Sequence, residues 1–273
     1  MKTLHTTSDD RTRLRLVRWG NADRDVLILH GLAEHAGRYE HVAQTLVEAG
    51  WRVTILELRG HGDSEGKRGH TSRWHGYVED VQAAAATIGR PFVLLAHSMG
   101  GLVAISTLSE PIIPSCRAIA ISNPLLGVRI NAPGWKIAAG RLLSKFLPGV
   151  PLDNEVDSSL LSHDAEVVRS YETDPKVYGT ITPRWYTEMR KAQDQVLTHA
   201  SRITIPLRMM VSEGDQICDP AVARKTAQAW GGPSEIIEYG DLYHELFNEP
   251  DKDKILADLV TWLDQIDSEG DSA

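Results

Sequence analysis

Short apolar runs recur along the chain at Leu14–Trp19, Val26–His30, Val53–Leu58, Phe92–Ala96, Ala118–Ser122, Leu207–Ser212 and Glu235–Tyr239. Several are nearly continuous, which is the pattern of strands covered on both faces. Between them, helical patterns occupy Tyr39–Glu48, Tyr77–Ile88, Gly100–Leu108, Ala221–Trp230 and Ile255–Ile266. Strands alternating with helices predict βαβ units and a mostly parallel sheet, an α/β fold. The alternation stops between Asn123 and Arg202, where prolines stand at 124, 133, 148, 151, 175 and 183 and only helix-like patterns occur. The expected organisation is a core of residues 1–122 and 203–273 with a helical cap, 123–202, packed on it as a lid. The acidic, small-residue end, Asp264–Ala273, is expected to fray.

Composition narrows the function classes. The chain has 273 residues, 42% hydrophobic and 24% charged, which is ordinary globular composition. Its formal net charge of −8 argues against nucleic-acid binding, because phosphate contacts need a basic field. The two cysteines, Cys116 and Cys218, belong to no C-x-x-C pair, so no thiolate zinc or redox motif can be read. Met1–Asp10 is polar and has no secretory h-region. The longest stretch free of charge, Pro91–Ser109, contains His97, Ser98 and a Gly-Gly pair, which fits a buried strand, turn and helix better than a membrane span. A soluble, cytoplasmic protein is expected.

The sharpest chemical signal lies in that stretch. Val93–Ala96 runs as an apolar strand into His97-Ser98-Met99-Gly100-Gly101. A serine on a tight strand-to-helix turn projects its Oγ from the C-terminal edge of a sheet, beside the free N–H groups of a helix start. Small residues must flank it because the turn is crowded. The motif is G-x-S-x-G with Ala96 in place of the first glycine. A second strand ends in His30-Gly31-Leu32-Ala33, where a loop can offer a backbone N–H to an oxyanion. The N–H groups of Leu32 and Met99 are the expected donors, with His30 shaping the loop. A nucleophilic serine needs a base, and the base an orienting carboxylate. Of the later histidines, His163 and His199 fall in the cap, whereas His244 follows the strand ending near Tyr239. Asp215 sits just past the preceding strand, while Asp219 precedes Pro220 and reads as a helix N-cap. The order Ser98, Asp215, His244 is that of α/β-hydrolases.

At this point the chain resembles, over nearly its full length, the α/β-hydrolase family of monoacylglycerol lipases and lysophospholipases. The most specific match is His30-Gly31-Leu32-Ala33-Glu34-His35-Ala36-Gly37-Arg38-Tyr39, which fits that family's H-G-x-x-E-H-x-x-R-Y. Gly60-His61-Gly62-Asp63-Ser64-Glu65-Gly66 fits its G-H-G-x-S-x-G loop, in which Ser64 reads as structural. The serine, acid and base loops fit as well. Departures are Ala96 and Phe247, the latter where animal monoacylglycerol lipases carry histidine. The resemblance implies an eight-stranded sheet with a helical cap, ester cleavage without cofactor or metal, and a polar pocket end lined or supported by Glu34 and Arg38. The bland alternative for that pair is an i, i+4 salt bridge. Cys218 reads as a buried filler, or as a site for electrophiles.

The cap segment Arg129–Val150 has four basic residues and no acidic ones. At helical spacing Trp135, Leu142, Leu143 and Phe146 share an apolar face, with Arg141 and Lys145 opposite. That face is expected to wall an acyl pocket, and the basic face to touch anionic lipid. The expected activity is serine hydrolysis of monoacyl lipid esters. The alternatives are a lysophospholipase or small-ester carboxylesterase, an acyltransferase on the same triad, and a ligand-binding homologue without turnover.

Overall fold

The computed structural model describes residues 1–110, 115–129 and 134–270, with the side chains of 135–139 and 269–270 outside the description. An eight-stranded sheet runs through the core. Its strands are β1 (Lys2–Thr7), β2 (Arg13–Trp19), β3 (Arg24–Leu29), β4 (Trp51–Leu56), β5 (Phe92–His97), β6 (Cys116–Ser122), β9 (Leu207–Val211) and β10 (Ser234–Glu238). The order is β1-β2-β4-β3-β5-β6-β9-β10. β2 is antiparallel to both its neighbours, β1 and β4, and all later pairs are parallel.

The helices are α1 (Glu40–Glu48), α2 (His75–Ile88), α3 (Met99–Leu108), α4 (Gly134–Phe146), α5 (Ala165–Thr173), α6 (Pro183–Ala200), α7 (Pro220–Gln228) and α8 (Lys252–Gly270). Alternation along β3 divides the core in two, because successive side chains point to opposite faces. Leu27 and Leu29 pack with Leu94, Leu102 and Trp185 on one side. Val26 and Ile28 pack with Leu46, Val93 and Leu259 on the other. Every residue of β5 and β9 is buried, which is why these runs show no polar alternation.

One expectation is corrected here, and one strand was not anticipated. α8 continues to Gly270 instead of fraying from Asp264, residues 271–273 lying outside the described part. Asp264 accepts from Arg24 and from the Trp51 indole, and Asp267 from Arg117, so the acidic turns are tied to the core. The polar first residues form β1, an edge strand whose only apolar residue is Leu4, too little for a hydrophobic pattern to register.

The segment between β6 and β9 holds α4, α5 and α6, and also a small antiparallel pair, β7 (Leu152–Asp153) with β8 (Thr180–Ile181), where only helical patterns were expected. Residues 174–182 clamp this segment to the core loops. Asp174 lies 2.8 Å from His35 Nε2, and Lys176 donates to Asp63 at 2.7 Å. The Thr182 N–H donates to the Gly69 carbonyl. The Tyr178 hydroxyl donates to buried His61 Nε2 at 2.6 Å, since His61 Nδ1 faces the Arg59 carbonyl. Tyr178→Phe is expected to lower stability by about 1–3 kcal/mol, because a buried acceptor loses its donor. A urea midpoint unchanged from wild type would show that the clamp contributes nothing. Among the described residues, no helix is long and apolar enough to cross a membrane.

Candidate active site

Ser98 sits between β5 and α3 with φ 50° and ψ −116°, a strained backbone for a residue with a side chain. The turn is possible because Gly100 lies directly against β3: a Cβ there would strike the Leu29 and His30 carbonyls. Ala96, two residues earlier in β5, is fully buried, and its methyl is accommodated. The Ser98 hydroxyl donates to His244 Nε2 at 3.0 Å, and His244 Nδ1–H donates to Asp215 Oδ2 at 2.8 Å. The carboxylate acceptor sets the tautomer, leaving Nε2 free to take the serine proton. Asp215 Oδ1 accepts from the Ile217 and Cys218 N–H groups at 2.8 and 3.0 Å, which fixes the acid.

The electrostatics follow from burial. All three side chains are almost completely buried. Burial by itself lowers the His244 pKa, but the charge and hydrogen bond of Asp215, with Glu245 and Glu34 behind them, outweigh it and raise the pKa above its ordinary value. Burial opposes ionisation of Asp215, yet His244 and the two N–H donors hold its pKa below the usual value. His97, beside the serine, is pushed down to about 3 by burial and by His244. It stays neutral, its ring 4.8 Å from that of His244.

The loop carrying His244 is braced from several sides. The Asn123 side-chain amide donates to the His244 carbonyl at 2.8 Å and the Tyr243 carbonyl at 3.2 Å. Its Oδ1 accepts from the Ser212 N–H at 3.0 Å. One residue thus ties the end of β6 to both the loop carrying Asp215 and the loop carrying His244. The His244 and Glu245 N–H groups donate to the Leu160 and Leu161 carbonyls of the inserted segment. Asn123 escaped the sequence reading, although its place directly after a buried strand, at the edge carrying Ser98, was a usable signal. His163 instead pairs with Glu249, and His199 lies in a separate cleft with His75 and Glu110.

A cavity of about 150 Å³ opens at Ser98 and His244. Leu32 and Ile217 line it from the core, and Leu125, Val128, Ile181, Trp185, Tyr186 and Met189 from the inserted segment. Glu34 and Glu245 supply its acidic polar wall. Gly31 is packed so close that a Cβ would lie 3.2 Å from that of Ser98.

Residues 20–251 match the family described as serine aminopeptidase, S33. The chain belongs to this family. It is 32% identical over 245 residues to a monoacylglycerol lipase of Mycolicibacterium smegmatis, covering 87% of each protein. It is 28% identical over 252 residues to phospholipase YtpA of Bacillus subtilis, covering 89% of this chain and 97% of that protein. The crystal structure of a Paleococcus ferrophilus monoacylglycerol lipase superposes with a TM-score of 0.87 at 28% identity, over 93% of this chain and 99% of the other. The family and these neighbours place the chain among the α/β-hydrolases, as its mostly parallel eight-stranded sheet requires.

Against that family frame, several expected site residues lie elsewhere. Arg38 does not line the cavity. Its guanidinium donates two hydrogen bonds to Glu245, at 2.6 and 2.7 Å, and packs over the Tyr171 ring. The i, i+4 pair with Glu34 is therefore not formed as an ion pair: Glu34 instead faces the cavity, with Oε1 3.7 Å from His97 Nε2. Leu142 and Phe146 are 62% and 67% exposed. Neither they nor Leu143 line the cavity, because α6 rather than α4 occupies that wall. The Trp135 side chain lies outside the described residues.

His30 shapes its loop as expected: the Leu58 N–H donates to Nε2, and Nδ1 faces the Gly31 carbonyl. Ser64 is likewise structural, donating to the Glu57 carbonyl. Asp219 caps α7 through the Ala221 N–H. Asp215, Cys218 and His244 offer donor atoms within 4.8 Å of one another, the one potential metal cluster found among the described residues. Two of them already share the proton between His244 and Asp215, and burial pushes the Cys218 thiol well up, away from the thiolate a metal needs.

Proposed function

We propose that the chain is a carboxylic ester hydrolase acting on monoacyl lipids or similar esters through an acyl-enzyme on Ser98. The observation that carries this reading is the unbroken hydrogen-bond chain Ser98–His244–Asp215 at the mouth of an apolar cavity. Ser98 Oγ attacks the ester carbonyl while His244 Nε2 takes its proton. Asp215 stabilises the imidazolium, which then protonates the leaving alcohol. Water enters, gives its proton to His244 and releases the acid. The Leu32 and Met99 N–H groups are the proposed oxyanion donors: Met99 opens α3, so its N–H has no intrahelical acceptor. Glu34 is the proposed acceptor for hydroxyls on the alcohol side, with Arg38 holding Glu245 beside it. No cofactor enters these steps. Segment 123–202 acts as the cap, since it supplies most of the cavity lining. Its relatives' names, a monoacylglycerol lipase and a phospholipase, agree with this substrate class.

A hydrolysis panel of monoacylglycerols, lysophospholipids and simple esters tests the reading. Turnover of monoacyl esters is expected. A burst of one equivalent without turnover would point instead to a binding homologue.

The proposal includes peripheral lipid contact through the cap. Leu142, Phe146 and Leu147 form an exposed apolar strip on and just after α4, flanked by exposed Arg141 and Lys145. An amphipathic helix of this kind settles on an anionic surface, each basic residue contributing about 1 kcal/mol. Arg141→Glu with Lys145→Glu is expected to reduce sedimentation with anionic vesicles at least tenfold while leaving turnover of soluble esters intact. Leu142→Asp should act in the same way. Unchanged sedimentation would remove the lipid-contact role. A cytoplasmic location fits the two buried cysteines, which remain free thiols.

A further inference from the structure

The apolar side of the Ser98 cavity is closed by α6, and α6 is held rigidly. Trp185 and Met189 stand one turn apart on its inner face, both lining the cavity and both buried. The same stripe continues through Ala192 and Val196 into the core. The Trp185 indole N–H donates to the Tyr77 hydroxyl at 3.0 Å, and its ring meets Trp74 edge-on. Thr182 caps the helix start by accepting from the Trp185 N–H. One turn beyond Met189, the Gln193 amide donates to the carbonyl of Leu125, itself a lining residue, at 2.9 Å. Opening this wall would break buried hydrogen bonds at the start and in the middle of the helix.

The cavity, open on the Ser98 side, holds about 150 Å³. An apolar cavity of about that volume holds one benzene molecule, that is, about six carbons. We propose that the acyl site is a short one, filled by acyl groups of about six carbons, with Met189 as the wall residue that limits their length. This rests on the ester-hydrolase reading above and specifies its substrate class: esters of short to medium-chain acids, not of the long-chain fatty acids a deep tunnel would take. Met189 is the one unbranched apolar side chain in the described lining, and shortening it removes three heavy atoms without disturbing a side-chain hydrogen bond.

The experiment is kcat/KM for p-nitrophenyl esters from acetate to palmitate, each below its aggregation limit. Each buried methylene is worth about fourfold, so the wild type is expected to gain about two orders of magnitude from acetate to hexanoate. It should then peak between butanoate and octanoate and fall about tenfold or more by dodecanoate. Met189→Ala should move the peak about two to four carbons longer. Should that variant not fold, Met189→Val, which keeps a buried apolar side chain, should give a smaller shift in the same direction. A wild-type peak at dodecanoate or beyond overturns the proposal, as does a folded Met189 variant with the wild-type profile. Cleavage of no ester at any length would overturn the ester reading of the site, and this proposal with it.

Discussion

Ser98→Ala is expected to lower kcat by about 10⁶ while the protein stays folded, because a triad without its nucleophile loses the covalent route altogether. The change removes one oxygen from a buried side chain whose partner, His244 Nε2, faces the cavity and can accept from water instead. The thermal midpoint should therefore move little. The strained backbone at Ser98 is held by Gly100 against β3, not by the hydroxyl, so alanine keeps the turn. Activity retained within tenfold of wild type would mean that another residue is the nucleophile.

The second large effect belongs to the acid. Asp215→Asn is expected to cut kcat by about 10⁴, because the amide can donate to His244 Nδ1 and so favours the wrong tautomer. It should also change the pH profile. His244 must be neutral to take the serine proton, so wild-type kcat/KM should fall as pH drops through a pKa above 6.5. Without the Asp215 charge, burial is opposed only by the more distant Glu245 and Glu34, and the acid limb should move to lower pH. Asp219→Asn is the control. Asparagine caps a helix about as well as aspartate, so α7 should lose at most a few tenths of a kcal/mol and kcat should hold. A crippled Asp219→Asn beside a near-silent Asp215→Asn would transfer the acid role to Asp219.

The residues brought together at Ser98 were legible in the sequence for a local reason. Ser98 and Asp215 follow fully buried strands and His244 follows the edge strand β10, and strand ends announce themselves by a β-rich run that stops at small or polar residues. Parallel strands then carry those ends to one edge. What was not legible depends on which surfaces meet. The apolar stripe of α4 predicts a buried face, yet Leu142 and Phe146 are exposed, because periodicity says that a face is apolar and not what covers it. The stripe of Trp185, Met189, Ala192 and Val196 on α6 has the same spacing and is the one that packs on the core. Arg38 and Glu34 stand at i, i+4, the distance of a helical ion pair, but Glu245 captures the arginine across 207 positions. No local pattern records that choice. Asn123 is an intermediate case: its strand end was visible, but its hydrogen bonds to the loops of His244 and Ser212 exist only once the sheet is assembled.

The account stands most directly on one measurement: peptide mass mapping after treatment with a fluorophosphonate, which reacts with a serine only when a base activates it. The account predicts a single stoichiometric adduct on the peptide carrying Ser98, lost in Ser98→Ala and slowed by orders of magnitude in His244→Ala. An adduct on another serine, with Ser98 unmodified and esterase activity abolished, would contradict it.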